Sequence, residues 1–105
     1  LQQDKEGGLD LARIAQIEAL TSLPLVIHGG SGVPVEQRRR LSSRTSICKF
    51  NIGTELRMAF GSALRAAVAA DPTRFDRVQI LSDTIDPVQC AAQEVLRAFG
   101  APPQR

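Results

Sequence analysis

The sequence predicts an α/β fold in which parallel strands are joined by helices. Three observations point there. Two short apolar runs, residues 23–28 and 47–52, lack polar–apolar alternation, which suits strands buried on both faces. Each run ends in a glycine-bearing turn, and each turn leads into a stretch with helix-start signals. The longest of those stretches keeps a 3.6-residue apolar stripe from Leu56 to Val68.

Taken in chain order, Leu9 to Leu20 reads as a first helix. Asp10 can cap it, and Leu11, Ile14, Ala15, Ile17 and Leu20 roughly follow the helical period. Leu-Pro-Leu-Val-Ile-His at 23–28 is the first strand, with Pro24 at its start, where a missing ladder donor is tolerated. Gly29-Gly30-Ser31-Gly32 turns the chain into a second helix. Pro34 suits its first turn and Glu36 its positive end. From Gln37 to Ser46 this helix has one strong apolar residue, Leu41, where a packed helix normally shows a stripe. The triplet Arg38-Arg39-Arg40 admits a phosphate or nucleic-acid patch; a solvated helix face is the reading preferred.

Ile47 to Ile52 is the second strand. Thr54 is expected to cap a strong third helix with Leu56, Ala59, Phe60, Ala63, Leu64, Ala67 and Val68 on one face, stopped by Asp71-Pro72. Residues 73–85 read as irregular, with Phe75, Val78, Ile80 and Leu81 as anchors to a neighbouring surface. Asp86-Pro87 opens the last helix, with Gln89 completing a capping-box-like pattern. Val88, Ala91, Ala92, Val95, Leu96 and Phe99 form its apolar face and Gly100 ends it. Residues 101–105 read as a frayed tail.

Two strands do not make an independent sheet. A closed eight-fold barrel takes roughly 250 residues, so this chain would supply its last quarter or third, and an open sheet would need further strands as well. The opening LQQDKEGG, without an initiator Met, also reads as the start of a fragment.

Composition narrows the class. The 105 residues are 43% hydrophobic and 4% aromatic with a net charge of +2, which excludes collagen-like, coiled-coil and disordered chains. The small basic excess is dispersed and lacks interleaved aromatics, so no nucleic-acid partner is expected. No apolar run approaches the roughly 18–20 residues of a membrane span, and no signal peptide opens the chain. Cys48 and Cys90 are too few for a disulfide framework and read as buried or half-buried free thiols. A reducing, cytoplasmic setting fits.

The chemistry concentrates in the two strand-to-helix turns, at the carboxyl ends of the strands where α/β folds place ligands. In His28-Gly29-Gly30-Ser31-Gly32, glycines let the backbone turn sharply and bring amides close to an anion. The Ser31 hydroxyl can add a donor and the next helix N-terminus a partial positive charge. Asn51-Ile52-Gly53-Thr54 offers the amides of Gly53 and Thr54 above the third helix. Two such turns side by side can hold one phosphate, although each alone could be merely a tight turn. His28 is the only histidine. It could be a structural hydrogen-bonding residue or one ligand of a metal, and catalytic zinc needs about three protein ligands.

PLVIHGGSGVP followed about twenty residues later by CKFNIGTELRMAF closely resembles the C-terminal part of the zinc-dependent class II fructose-bisphosphate and tagatose-bisphosphate aldolases. LDLARIAQIEALTSLPLV and AVAADPTRFD are similar to the same family, so the resemblance runs from Leu9 to Phe99. It implies a (β/α)8 barrel, with residues 24–28 and 47–52 as its seventh and eighth strands. His28 would be the last zinc-ligand histidine. Gly29, Gly30 and Ser31 would form the first phosphate loop, and Asn51, Ile52, Gly53 and Thr54 the second substrate loop.

In that family Zn2+ acts as a Lewis acid on the carbonyl of dihydroxyacetone phosphate and stabilises the enediolate. A monovalent cation is a further candidate. The partners implied are small sugar phosphates, and the parent enzyme would be a homo-oligomer. The acid and base for proton transfer, and the other zinc histidines, would lie upstream of Leu1, leaving the isolated chain inactive. Ser42 to Ser46 departs from a family stretch that is normally apolar and ends in glycine. The competing expectation is a non-catalytic truncated remnant with at most weak phosphate binding.

Overall fold

β1 (Leu25–Ile27) and β2 (Ile47–Phe50) pair in parallel and form the two-stranded centre of the chain, of which a computed structural model describes residues 8–100. Around them run α1 (Leu11–Leu20), a single 3-10 turn at Gly30–Gly32, α2 (Val35–Arg44), α3 (Thr54–Ala70), α4 (Arg77–Ser82) and α5 (Ile85–Ala98). The architecture is α/β, with α2 carrying the crossover between the parallel strands, as that strand geometry requires.

The strand pair is short but extends beyond the formal ladder. Leu25 pairs with Ile47, Val26 with Lys49 and Ile27 with Phe50, with one irregularity between Leu25 and Val26. Beyond β1, Asn51 N–H donates to Ile27 O at 2.9 Å and Gly30 N–H to Asn51 O at 3.0 Å. The expected strands 24–28 and 47–52 are therefore shortened at their ends, where the backbone bends into the two turns.

The core is small and drawn from three elements and one loop residue. Ile14 of α1, Val33, Leu41 of α2 and Ile47 of β2 are buried together, with Leu25, Ile27 and Phe50 against them. Leu41 is fully buried, so α2 docks through the single apolar residue its sequence offers. A second contact joins α3 to α5, where Ala67 and Val95 are buried, and Phe50 meets the Phe99 ring with centroids 4.3 Å apart.

Several expectations change. Residues 73–85 are not irregular throughout: Asp76 accepts from Val78 N–H at 2.8 Å and starts α4, too short for periodicity to reveal. The last helix begins at Ile85 with Thr84 as its cap, so Asp86 lies inside the first turn. Pro87 sits among the first N–H positions, which need no intrahelical partner. Gly53, not Thr54, caps α3, and Pro34 precedes α2 as its cap. Both cysteines are exposed rather than buried. Arg38 is buried while Arg39 and Arg40 face solvent, so the solvated-face reading holds for two of the three. The frayed tail, 101–105, lies outside the described residues.

The apolar stripes are only partly covered. Ile17, Leu20, Phe60, Val68, Leu81 and Leu96 are exposed, and Phe75, an expected anchor, is 95% exposed. The radius of gyration is 17.4 Å, against about 13 Å for a compact domain of this length.

Candidate functional site

The two turns predicted to carry chemistry lie side by side at the carboxyl ends of β1 and β2. Gly29 makes the first bend with φ 67° and ψ 32°, a left-handed conformation that costs other residues about 1–2 kcal/mol. Gly30 is buried at the crossing with the second turn. A Cβ there would stand 2.9 Å from Ile52 Cδ1 and 3.4 Å from Asn51 O and Phe50 Cβ. Gly30→Ala is therefore expected to lower stability by about 1–3 kcal/mol through overpacking. A urea midpoint unchanged from wild type would show that the turns are not in close contact.

The second turn receives its cap from the first. Gly53 has no side chain to satisfy the α3 N-terminus, and Ser31 Oγ accepts from Glu55 N–H at 3.4 Å instead. Arg38 reinforces the join. Its Nε donates to Val33 O at 2.8 Å, Nη2 to Ser31 O at 3.1 Å and Nη1 to Glu55 Oε2 at 3.3 Å, while Nη2 also pairs with Glu55 Oε1.

Between the turns opens a cleft of about 320 Å³ lined by Gly29, Ser31, Asn51, Ile52, Gly53, Thr54 and Arg57. Six of the eight residues expected at the site line it. Gly30 supports it from behind, with its amide spent on Asn51 O rather than free for an anion. His28 stands exposed beside it, and Asn51 Nδ2 lies 2.9 Å from His28 Nδ1.

Arg57 was not among the expected site residues. It lies one turn into α3, and helical side chains lean back over the preceding turn, a geometric signal that could have found it. Its two Nη atoms lie 3.3 Å from where a Gly53 Cβ would stand. Among the described residues its guanidinium has no carboxylate partner, and Glu55, the acidic residue of that first turn, is engaged by Arg38. The Gly53 and Thr54 amides have no acceptor among the described residues. Unpaired donors, a free guanidinium and a helix N-terminus give the cleft the electrostatics of an anion site.

A family model described as class II fructose-bisphosphate aldolase matches residues 2–103. The chain belongs to that family. Among similar proteins, a fructose-bisphosphate aldolase of Geobacillus stearothermophilus is 38% identical over 97 residues, covering 91% of this chain and 33% of that protein. A 6-phospho-5-dehydro-2-deoxy-D-gluconate aldolase of Shouchella clausii is 35% identical over 96 residues, covering 91% and 32%. A fructose-bisphosphate aldolase of Streptococcus pneumoniae is 32% identical over 104 residues, covering 90% and 35%. This aldolase-family chain thus spans about a third of the length of the curated relatives it matches.

His28 is the residue expected to ligate a metal. Among the described residues no group of three or more His, Cys, Asp or Glu comes together. One exposed imidazole beside the cleft fits one position in a metal's shell and leaves the others to be filled from elsewhere. A larger groove of about 550 Å³ on the other side of Ile52, between β2 and α5, is mostly apolar and unsuited to a phosphate.

Proposed function

We propose that this segment is the phosphate-holding end of a zinc-dependent ketose-bisphosphate aldolase, which reversibly cleaves its substrate to dihydroxyacetone phosphate and an aldehyde such as glyceraldehyde 3-phosphate. The observation that carries this reading is the convergence of both turns on one cleft, with amides and a guanidinium that lack partners among the described residues. A phosphate there would accept from the Gly53 and Thr54 amides, with Ser31 Oγ and the Arg57 guanidinium as further donors. Asn51 would hydrogen-bond the substrate near the reacting carbons. Holding the remote phosphate orients a small triose for reaction.

His28 would hold the zinc together with ligands outside these residues. When bound, zinc supplies Lewis-acid polarisation of a carbonyl. Asn51, 2.9 Å from His28 Nδ1, would help to orient the ring. A monovalent cation could accompany the phosphate. The acid and base are assigned outside this segment, and the isolated chain is expected to be inactive.

Residues 1–105 are read as the part of a (β/α)8 barrel that contains its last two strands. The uncovered apolar faces of α1, α3 and α5 support that reading, because further barrel elements or subunits would cover them. The parent enzyme is proposed to be a cytoplasmic homo-oligomer acting on small sugar phosphates. Nucleic acid is not a proposed partner, since Arg38 is buried and Arg39 and Arg40 lack stacking aromatics. No described helix is long and apolar enough to cross a membrane.

The test is Ser31→Ala in the full-length protein, read by a coupled assay of triose-phosphate release. The expected result is KM for fructose 1,6-bisphosphate or tagatose 1,6-bisphosphate raised about 5–10-fold, the loss of one ordinary hydrogen bond, with kcat within about threefold. A wild-type protein that cleaves no ketose bisphosphate with zinc supplied would overturn the proposal and favour the non-catalytic remnant.

A further inference from the structure

Arg38 is the largest departure from expectation in the described chain, and the aldolase reading gives it no task. Only 4% of it is exposed. It lies one helical turn before Leu41, on the core-facing side of α2, where an apolar residue would pack without losing the hydration of a charge. Buried ion pairs often contribute less stability than apolar replacements of similar size. What they add is direction, and the direction here is specific.

One guanidinium holds the Ser31 and Val33 carbonyls, at the exit of the first turn, and the Glu55 carboxylate, in the first turn of α3. Phe99 of the α5 end backs it, with its ring centroid 5.7 Å from the guanidinium carbon. The two walls of the cleft are thus tied through a single side chain. The pair also occupies a carboxylate that would otherwise stand near the mouth and repel an anion.

We propose that Arg38 and Glu55 are a positioning pair: they fix the separation of the Gly29–Ser31 and Gly53–Thr54 turns and withdraw the Glu55 charge from the cleft, so that both turns engage one phosphate together. The inference rests on the phosphate-site reading above. Neither residue needs to touch the ligand.

The test is an amide NMR titration of the full-length protein with inorganic phosphate at constant ionic strength, beside a urea unfolding curve for each variant. In the wild type, the amides of Ser31, Gly53 and Thr54 are expected to shift with one shared midpoint. Arg38→Met should weaken that midpoint about tenfold, equivalent to about 1.4 kcal/mol, and split it into separate values for the two turns. Arg38→Lys keeps the charge but not the fork of donors, and should weaken it about threefold. It also serves as the deciding variant if Arg38→Met does not fold.

Val95→Ala, which destabilises the α3–α5 contact without touching either turn, is the stability control. It should lower the urea midpoint and leave the phosphate midpoint unchanged. A phosphate midpoint for folded Arg38→Met or Arg38→Lys equal to wild type overturns the positioning role and leaves the phosphate site standing. Val95→Ala weakening phosphate as much as the Arg38 variants overturns it as well, because the effect would then be one of overall stability. Absence of phosphate-dependent shifts at either turn in the wild type overturns the site itself and the inference with it.

Discussion

Leu41→Ala is expected to lower the unfolding free energy by about 3–4 kcal/mol, in the middle of the range for buried leucines. Among the described residues Leu41 is the fully buried large side chain, and it packs with Ile14, Val33 and Ile47 from three other segments. Truncation removes the transfer free energy of the side chain and leaves a cavity that four separately anchored pieces cannot close. The core has few other residues to compensate. In the 105-residue chain alone, Leu20→Ala, at a position 88% exposed, should change stability by less than about 0.5 kcal/mol. Urea denaturation of both variants checks the contrast. A loss below about 1 kcal/mol for Leu41→Ala would mean that α2 is not held through that residue. The consequence reaches the cleft, because Arg38 lies on the same helix face and would lose its seat when α2 loosens.

Much of this arrangement was legible before any coordinates. The parallel strands coincide with the unalternating runs LVI and ICKF, although Val26, Cys48 and Lys49 are exposed and neither strand is buried on both faces, and the placement of both turns at strand ends follows from where those runs stop. The convergence of Gly29, Ser31, Asn51, Ile52, Gly53 and Thr54 on one cleft was readable because consecutive parallel strands with a helical crossover bring their carboxyl ends together. Arg38 was not legible. Local pattern showed three like charges in a row, and only the tertiary position of Glu55 separates the buried one from the two solvated ones. Arg57 was missed because periodicity assigns faces and gives no weight to the backward lean of a side chain over its own helix start.

The apolar stripes were read correctly as apolar but not as buried. Periodicity identifies a face that needs a partner, and the partner for Leu20, Phe60 or Val68 is not among the described residues. The capping errors have a common cause. Thr54 and Asp86 are good cap residues in isolation. The α3 N-terminus, however, is served by Ser31 from another element, and Thr84 starts α5 earlier by donating its own hydroxyl and amide to Leu81 O at 2.6 and 3.0 Å. Tertiary and neighbouring-turn hydrogen bonds override the local preference in both places.

The largest effect on activity is expected at His28. If the full-length protein is the zinc-dependent aldolase proposed above, His28→Ala should lower kcat/KM for ketose-bisphosphate cleavage by about a thousandfold or more, because a Lewis-acid metal is worth several kcal/mol of transition-state stabilisation. Bound zinc per subunit, measured directly, should fall in parallel. His28 has a second possible task, since its Nδ1 is held by the Asn51 amide, and losing the ring would also free Asn51. His28→Gln separates the two. Its side chain can still hydrogen-bond Asn51, while a neutral amide is a much weaker zinc ligand than imidazole. If zinc binding carries the effect, Gln is as inactive as Ala and equally depleted of metal. If Gln restores most of the activity with little zinc bound, His28 acts by orienting Asn51 and the ligand assignment falls.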